Sequence, residues 1–244
     1  KWLRHIWDEA RSKAKDEGFT LPKFDKFWKN GFKEVLTPKK QTILLEDFRK
    51  DPQKNPISTP SGKIEIFSET VDSFNYQDCP GHPTWLEQEE WLGSNLTKQY
   101  PLQLISGQPH NRLHSQLDNG SESQNYKILG REPIKIHPQD AQTRGLVDGD
   151  VVEVFNKRGK CLAGVIISNE VMKGVVFLPV GAWYDPINDG DFCIHGNPNV
   201  LTEDIGTSSL AQGPSAHSTL VEIKKYTKEL PEINVLHKPS IVNK

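Results

Sequence analysis

The stretch PHNRLHSQLDNG, residues 109–120, concentrates side chains that can bind a metal or an anion. His110 and His114 are four residues apart, a spacing that places two imidazoles on one face of a helix. The zinc motif with this spacing has a glutamate after the first histidine, where this chain has Asn111. Arg112 lies between the histidines, and a fixed positive charge disfavours a dication. We therefore expect no metal ligand in this stretch, nor elsewhere in the chain.

The same stretch has the donors of a loop that binds an anion or a nucleotide. The guanidinium of Arg112 is a planar fork that matches phosphate oxygens. The preceding apolar run, YPLQLISGQ, indicates a strand whose end can present backbone N–H groups to a diphosphate. Neutral hydrogen-bonding side chains lie on both sides of the arginine, namely Ser106, Gln108, Asn111, Ser115 and Gln116. A polar surface turn explains the composition equally well, so both interpretations stay open on chemistry alone.

Two later segments carry further candidate binding groups. Residues 195–217, HGNPNVLTEDIGTSSLAQGPSAH, form a long polar stretch, and long stretches without regular structure are often functional. Asp204 can accept from the amino group of a guanine or pterin, and several neutral side chains can pair with base edges or ribose hydroxyls: Asn199, Thr207, Ser208 and Gln212. The segment GAWYDP adds Trp183 and Tyr184 after a strand. A solvated loop and two aromatics covering a barrel rim are the alternatives.

Composition excludes some classes of protein. The 244 residues include 30 basic and 32 acidic side chains, so no excess of positive charge indicates a nucleic-acid partner. No apolar run approaches the roughly 20 residues of a transmembrane helix, and we expect no membrane span. Cys79, Cys161 and Cys193 form no C-x-x-C pair, so we expect buried or incidental thiols. The chain opens inside a helical pattern without an initiator Met, so we expect a piece of a longer polypeptide, and the compartment stays open between periplasm and cytoplasm.

Hydrophobic spacing predicts helices first and short strands later. The opening WLRHIWDEA and the segment FDKFWKNG have helical periods, whereas KEVLT and TPSGKIEIFSE are predicted as strands and TWLEQEEWLG as a short helical piece. From residue 100, short apolar runs alternate with turn residues, which is typical of a barrel or sandwich. We predict a mixed segment at 1–98, a barrel at 99–226 and an extended tail at 227–244.

Four segments in fixed order together resemble one family. They are YPLQLISGQPHNRLHSQLDNG, REPIKIHPQDAQTRGLVDGDVVEVFNKRGKCLAGVIIS, GVVFLPVGAWYDP and GNPNVLTEDIGTSSLAQG. This pattern is similar to the C-terminal part of the dimethyl sulfoxide reductase family of molybdenum enzymes, with most likeness to the trimethylamine N-oxide and biotin sulfoxide reductases. WLRHIWDEA, LPKFDKFWKNG, SGKIEIFSE and GHPTW resemble the segment just before it in those enzymes.

The resemblance implies a fold, a cofactor and a set of contacts. The fold is mainly β with some α: a double-psi β-barrel that binds a molybdopterin dinucleotide, preceded by a mixed α/β segment. The cofactor is molybdenum bis(molybdopterin guanine dinucleotide), used in anaerobic respiration to take an oxygen atom from an S-oxide or N-oxide. The first loop is expected to bind it through Ser106, Gln108, His110, Arg112, Leu113, His114 and Ser115. The rim adds Trp183 and Tyr184, and the second loop adds Asn199, Asp204, Thr207, Ser208 and Gln212.

The resemblance also implies that this chain works with a partner. The family's protein ligand to molybdenum lies upstream, so no catalytic residue is expected here. The isolated chain should then be inactive and without cofactor, and its partners would be the N-terminal remainder of the same polypeptide, an oxide substrate and an electron donor. The alternative is a non-enzymatic binding module on the same barrel. A pocket that unites residues 106–116 with 199–212 would favour the cofactor function, whereas loops at opposite ends of the barrel would favour the module.

Overall fold

The computed structural model describes residues 1–36, 42–187 and 192–238. The chain divides into two compact units, Lys1–Glu65 and Ile66–Lys244. The three segments predicted from sequence, 1–98, 99–226 and 227–244, stay a prediction.

The first unit contains a pair of amphipathic helices. Its helices are α1 (Trp2–Asp16), α2 (Phe24–Asn30) and α3 (Glu46–Lys50), so the two predicted near the start are confirmed. Trp7 of α1 stacks on Phe27 of α2 with ring centroids 3.7 Å apart, and its indole N–H donates to a carbonyl between the helices. The strand predicted at KEVLT is absent from residues 33–36, and Thr37 lies outside the described residues.

Two sequence predictions between residues 59 and 93 are wrong. TPSGKIEIFSE forms turns and bends, and Ile64 and Ile66 are 68% and 81% exposed. An alternating pattern becomes a strand only with a paired neighbour, and these residues have none. TWLEQEEWLG also forms bends, turns and irregular backbone, and the indole of Trp85 donates at 2.9 Å to the carboxylate of Glu87, a residue two positions away that would not face it on a helix. The short helix here is α4 (Glu69–Asp72), and a 3-10 turn covers Asn95–Lys98.

Six of the strands in the described part of the chain close into a barrel. The described strands are β1 (Leu102–Ile105), β2 (Pro133–Ile136), β3 (Val151–Phe155), β4 (Lys160–Ile167), β5 (Val175–Phe177), β6 (Pro186–Ile187), β7 (Phe192–Cys193) and β8 (Leu220–Lys225). The order β2-β5-β1-β8-β3-β4 is closed by the pairing of β2 with β4, and β7 and β6 extend the sheet from β4. The pairs β1–β5 and β2–β4 are parallel, while β1–β8, β2–β5, β3–β4 and β3–β8 are antiparallel. The predicted mainly-β barrel is therefore confirmed.

Two short helices connect the strands. They are α5 (Ser121–Tyr126) and α6 (Pro138–Thr143), the second at the predicted PQDAQTRG segment. No helix in the described ranges has the length and apolar character needed to cross a bilayer.

The interior of the barrel is apolar and includes two thiols. Leu104, Ile134 and Val165 are fully buried, and burial of each such side chain contributes about 1.5–3 kcal/mol. Cys161 and Cys193 are opposite each other on the parallel strands β4 and β7 as free thiols. Burial raises the pKa of the Cys161 thiol well above its ordinary value, so this group is an unreactive packing residue. Both side chains have the buried role predicted for them.

A buried ion pair attaches the segment before the barrel to the hairpin β3–β4. Glu90 accepts from both terminal nitrogens of Arg158, at 2.6 and 2.8 Å, and from the N–H of Leu220 at 2.8 Å. Burial opposes the charge of Glu90, but the hydrogen bonds from Arg158 and Leu220 outweigh it and lower the pKa of the carboxyl. The carboxylate therefore stabilises the fold in its charged form.

Replacing Glu90 with Gln should lower the free energy of unfolding at neutral pH by about 1.5–3 kcal/mol, the range for hydrogen bonds to charged groups. The folded-state pKa is below the ordinary 4.5, so this contribution is complete above 4.5 and is lost as the pH falls through the folded value. Urea unfolding of both proteins at neutral pH and at about pH 3.5 measures the difference. A stability difference that stays constant between the two pH values would contradict the assignment.

Candidate functional site

The loop after β1 is held by an arginine that faces inward. The guanidinium of Arg112 donates to the carbonyls of His114, at 3.2 Å, and Val180, at 3.1 Å. It also lies 3.0 Å from the carboxylate of Glu132 and 3.6 Å from that of Asp118, and only 2% of its side chain is exposed. These contacts fix the course of the loop against the segment that follows β5.

Arg112 belongs to a charge cluster that we define as Arg112, Asp118, Lys127 and Glu132. The ammonium of Lys127 lies 2.8 Å from the Asp118 carboxylate and 2.6 Å from the Glu132 carboxylate. All four side chains are at most 2% exposed. Two cations and two anions in mutual contact make the cluster formally neutral, as buried charges require.

A fifth buried polar residue, His195, adjoins this charge cluster. Its Nδ1 lies 3.0 Å from the carbonyl of Trp183, which can only accept, so Nδ1 carries the proton. Burial lowers the pKa of His195, and the nearby charge of Lys127 lowers it further. The carboxylates of Asp118 and Glu132 raise the pKa, but the net shift is downward. The imidazole is therefore neutral at neutral pH, with Nε2 buried and without a partner in the described part of the chain.

The rim segment predicted at residues 181–186 is bonded to the first loop. The backbone N–H of Trp183 donates to the Asp118 carboxylate at 2.8 Å, and its indole N–H donates to the carbonyl of Ser115, also at 2.8 Å. Gly181 has φ +98°, and a Cβ there would lie 1.9 Å from the carbonyl oxygen of His114. Only glycine permits this close approach of the two segments.

A cavity of about 440 Å³ lies where these segments meet, a volume within the range of about 300–1,000 Å³ typical of small-molecule sites. We call it the amide cavity. Among the described residues its lining includes two amide side chains and the rings of Trp and Tyr, with no Lys, Arg, Asp or Glu, and it consists of His114, Ser115, Val180, Gly181, Ala182, Trp183, Tyr184, Asn197 and Asn199. Such a surface suits a neutral heterocycle, which can stack on aromatic rings and bond to amides.

The amide cavity brings together five of the residues predicted from sequence and leaves others outside. His114, Ser115, Trp183, Tyr184 and Asn199 line it. Gln108 does not line the amide cavity, but its side-chain oxygen accepts from the backbone N–H of His114, which does, at 2.9 Å. Leu113, which does not line it, has a side chain 58% exposed.

His110 faces a second cavity, of about 330 Å³. Gln108 and Tyr126 also line this cavity, and the His110 ring meets the Tyr126 ring edge to face with centroids 5.8 Å apart. The two histidines of the opening motif therefore have different surroundings. Ser106 is buried, and its hydroxyl has no partner among the described residues.

The later half of the second loop closes on itself. Thr207 donates through its hydroxyl to the Ala211 carbonyl at 2.8 Å, and the Gln212 amide donates to the Ser208 carbonyl at 2.8 Å. The turn is attached to Asp78, whose carboxylate accepts from Ser209. Asp204, Thr207, Ser208 and Gln212 do not line the amide cavity, and the contacts predicted for them stay predictions.

Sequence inspection missed the groups that organise the site. Asp118, Lys127, Glu132 and His195 were not selected, and neither was Asn197, whose side chain caps the turn by accepting from the N–H of Asn199 at 2.9 Å. Asn197 belongs to the polar HGNPN run, which is the one signal that could have identified it.

The phosphate or pterin contact predicted for Arg112 stays a prediction. Within the described ranges, no group of three or more His, Cys, Asp and Glu side chains could hold a metal ion.

The comparisons with known proteins agree with this geometry. Residues 102–220 match the family described as the Molydopterin dinucleotide binding domain. The barrel and its loops thus define the class of the chain: a domain that binds a molybdopterin dinucleotide.

Curated relatives then place it within that class. The chain is 45% identical to the trimethylamine-N-oxide reductase of Haemophilus influenzae over 99% of its own length and 30% of that protein. It is 47% identical to trimethylamine-N-oxide reductase 1 of Escherichia coli K12, over 95% of this chain and 28% of the relative. A dimethyl sulfoxide/trimethylamine N-oxide reductase of Rhodobacter capsulatus is 44% identical over 93% of this chain and 28% of its own. The chain belongs to the family of these reductases and spans less than a third of their length.

A solved structure supports the fold. The acetylene hydratase of Pelobacter acetylenicus superposes with a TM-score of 0.58 at 21% identity, over 72% of this chain and 25% of that one. At this identity the likeness concerns the fold alone.

Replacing Gly181 with Ala should push the first loop away from the rim, because the new Cβ meets the His114 carbonyl and the backbone has a positive φ. We expect the loss in unfolding free energy to exceed the about 1–3 kcal/mol of a strained backbone position alone, because the clash with the His114 carbonyl adds to it. The matched control is Gly145→Ala, with φ +61° and nothing within 4 Å of its Cβ. Thermal unfolding of both variants measures the difference, and equal losses would show that the close approach to His114 costs nothing.

Proposed function

We propose that this chain binds molybdopterin guanine dinucleotide for an S-oxide or N-oxide reductase. The N-terminal remainder of the same polypeptide would supply the ligand to molybdenum, and two dinucleotides would hold the metal. The substrates would be an oxide and an electron donor, as in anaerobic respiration. The relatives named trimethylamine N-oxide and dimethyl sulfoxide reductases support this substrate class.

The amide cavity is the observation that carries the proposal. It unites His114 and Ser115 of the first loop with Asn199 of the second, and these two loops come from distant parts of the barrel sequence. A non-enzymatic module has no need for a pocket of amides and aromatic rings at this junction, so the arrangement favours the cofactor function over the module.

The residues present fit the organic part of such a cofactor. The Asn199 amide can both donate and accept, as the edge of a guanine or pterin requires, and the ring of Trp183 offers a face for stacking. The buried hydroxyl of Ser106 has no partner in the described part of the chain and can bond a ligand at the start of the loop. The described residues that line the amide cavity include no cationic side chain, so we assign it a heterocycle and not the diphosphate.

When bound, the cofactor supplies a metal that transfers two electrons and accepts an oxygen atom. The residues of this chain bind and orient it: Trp183 is fixed by Asp118 and Ser115, and Asn199 is fixed by the cap from Asn197. None of them has to transfer a proton to the oxide. The chain alone should therefore be inactive, and biotin sulfoxide stays one of the candidate substrates.

Replacing Asn199 with Ala in the polypeptide that includes the N-terminal remainder should lower the cofactor content after purification. Loss of one hydrogen bond costs about 0.5–1.5 kcal/mol, which corresponds to a roughly two- to tenfold weaker affinity. Guanine released by acid and the fluorescence of the oxidised pterin measure the content. The matched control is Asn169→Ala, an exposed asparagine that does not line the amide cavity.

Two outcomes would contradict the assignment. Equal guanine and pterin contents in the Asn199 and Asn169 variants would remove Asn199 from the site. Absence of any cofactor from the unsubstituted polypeptide, expressed in a host that makes it, would favour the binding module instead. Reduction of trimethylamine N-oxide by a reduced dye then tests the substrate class, with the isolated 244-residue chain as the inactive comparison.

A further inference from the structure

We propose that the charge cluster of Arg112, Asp118, Lys127 and Glu132, together with His195, positions the first loop, the rim segment and the second loop as one unit. None of these five residues lines the amide cavity, so their role is positioning and not ligand contact. The inference depends on the proposed function only for what the amide cavity binds, because the coupling of the three segments is a property of this chain alone.

Asp118 joins the first loop to the other two segments. One of its oxygens accepts from the N–H of Trp183 at 2.8 Å and lies 3.7 Å from Nδ1 of His195. The other oxygen lies 2.8 Å from the ammonium of Lys127 and 3.6 Å from the guanidinium of Arg112. A single carboxylate thus contacts the rim, the start of the second loop and both cations.

Glu132 joins the same loops to the barrel wall. Its N–H donates to the carbonyl of His195 at 3.1 Å, and its carbonyl accepts from the N–H of Gly164 in β4 at 3.0 Å. Its carboxylate bonds both Arg112 and Lys127. Gly196 approaches so closely that a Cβ there would lie 2.6 Å from the Cβ of Glu132. Any shift of Glu132 therefore moves the second loop.

Charge balance makes the positions of these groups interdependent. Removing one member leaves an unpaired charge among side chains that are at most 2% exposed, which is strongly destabilising, whereas removing one cation and one anion together restores neutrality. The loops carrying these residues must then move or open when the balance is broken. Removal of one cation together with one anion should therefore restore the stability that either single removal costs. If these residues only filled space in the core, the two losses would add instead.

The experiment compares Lys127→Met, Glu132→Gln and the double variant K127M/E132Q in the 244-residue chain by hydrogen–deuterium exchange. Each single substitution should raise amide exchange by at least roughly tenfold in three separate segments, 110–117, 181–187 and 193–200, because each breaks a buried pair. The double variant should exchange more slowly than either single variant in all three. If the single variants fail to fold and the double variant folds, the rescue is equally demonstrated.

The matched control is Asp140→Asn, which neutralises another buried carboxylate of the barrel. Asp140 accepts from the N–H of Gly174 at 2.6 Å, away from the charge cluster, so exchange should rise only around Gly174. A double variant whose exchange is as fast as that of either single variant, or one that fails to fold, would overturn the proposal. So would increased exchange confined to the neighbours of residues 127 and 132. None of these outcomes depends on cofactor binding, so they are distinct from failure of the proposed function.

Discussion

The parallel pairing of β2 with β4 is the constraint on which the rest of the structure depends. It aligns Pro133 with Gly164 and continues to the pair of Ile136 with Ile167, closing the barrel. Gly164 is required at this seam, because a Cβ there would lie 2.2 Å from the Cβ of Ile128. Closure also fixes Glu132, the residue just before β2, beneath the loops. The same hydrogen-bonded seam that completes the apolar core thus provides the anchor for the buried charges.

The barrel was accessible to sequence analysis because its strands carry local signals. The apolar runs at β1, β2 and β5 and the hairpin β3–β4 contain the alternation and turn residues that a paired strand needs. The same alternation at Ile64 and Ile66 led to a wrong strand prediction. An alternating pattern indicates which side chains a strand would bury, but it does not indicate whether a neighbouring strand is present to pair with it. The helical pattern at residues 84–93 failed for a related reason: Glu87 accepts from Trp85, two residues away, which does not face it on a helix, and Glu90 pairs with the distant Arg158.

Sequence inspection selected two loops that meet at the amide cavity and missed the residues that support them. The polar runs near residues 110 and 199 are recognisable because such composition is unusual after a buried strand. The partners of Arg112 could not be identified in this way, since ion pairs between distant residues leave no periodic trace. Val180, whose carbonyl it bonds, is 68 positions away. An arginine flanked by amides and hydroxyls looks the same in sequence whether it faces a phosphate or a buried carboxylate.

The charged and the neutral polar groups in this site have different roles. Full charges are buried beneath the loops, where low dielectric strengthens their attraction and makes an unpaired member costly. The amide cavity itself presents neutral dipoles and aromatic faces, which can discriminate a heterocycle by hydrogen-bond pattern without a net field. Trp183 connects the two, because its backbone N–H donates to the Asp118 carboxylate and the residue also lines the cavity. The buried charges therefore fix the backbone of a residue that lines the cavity, while the described lining residues contribute neutral hydrogen-bonding groups and aromatic rings.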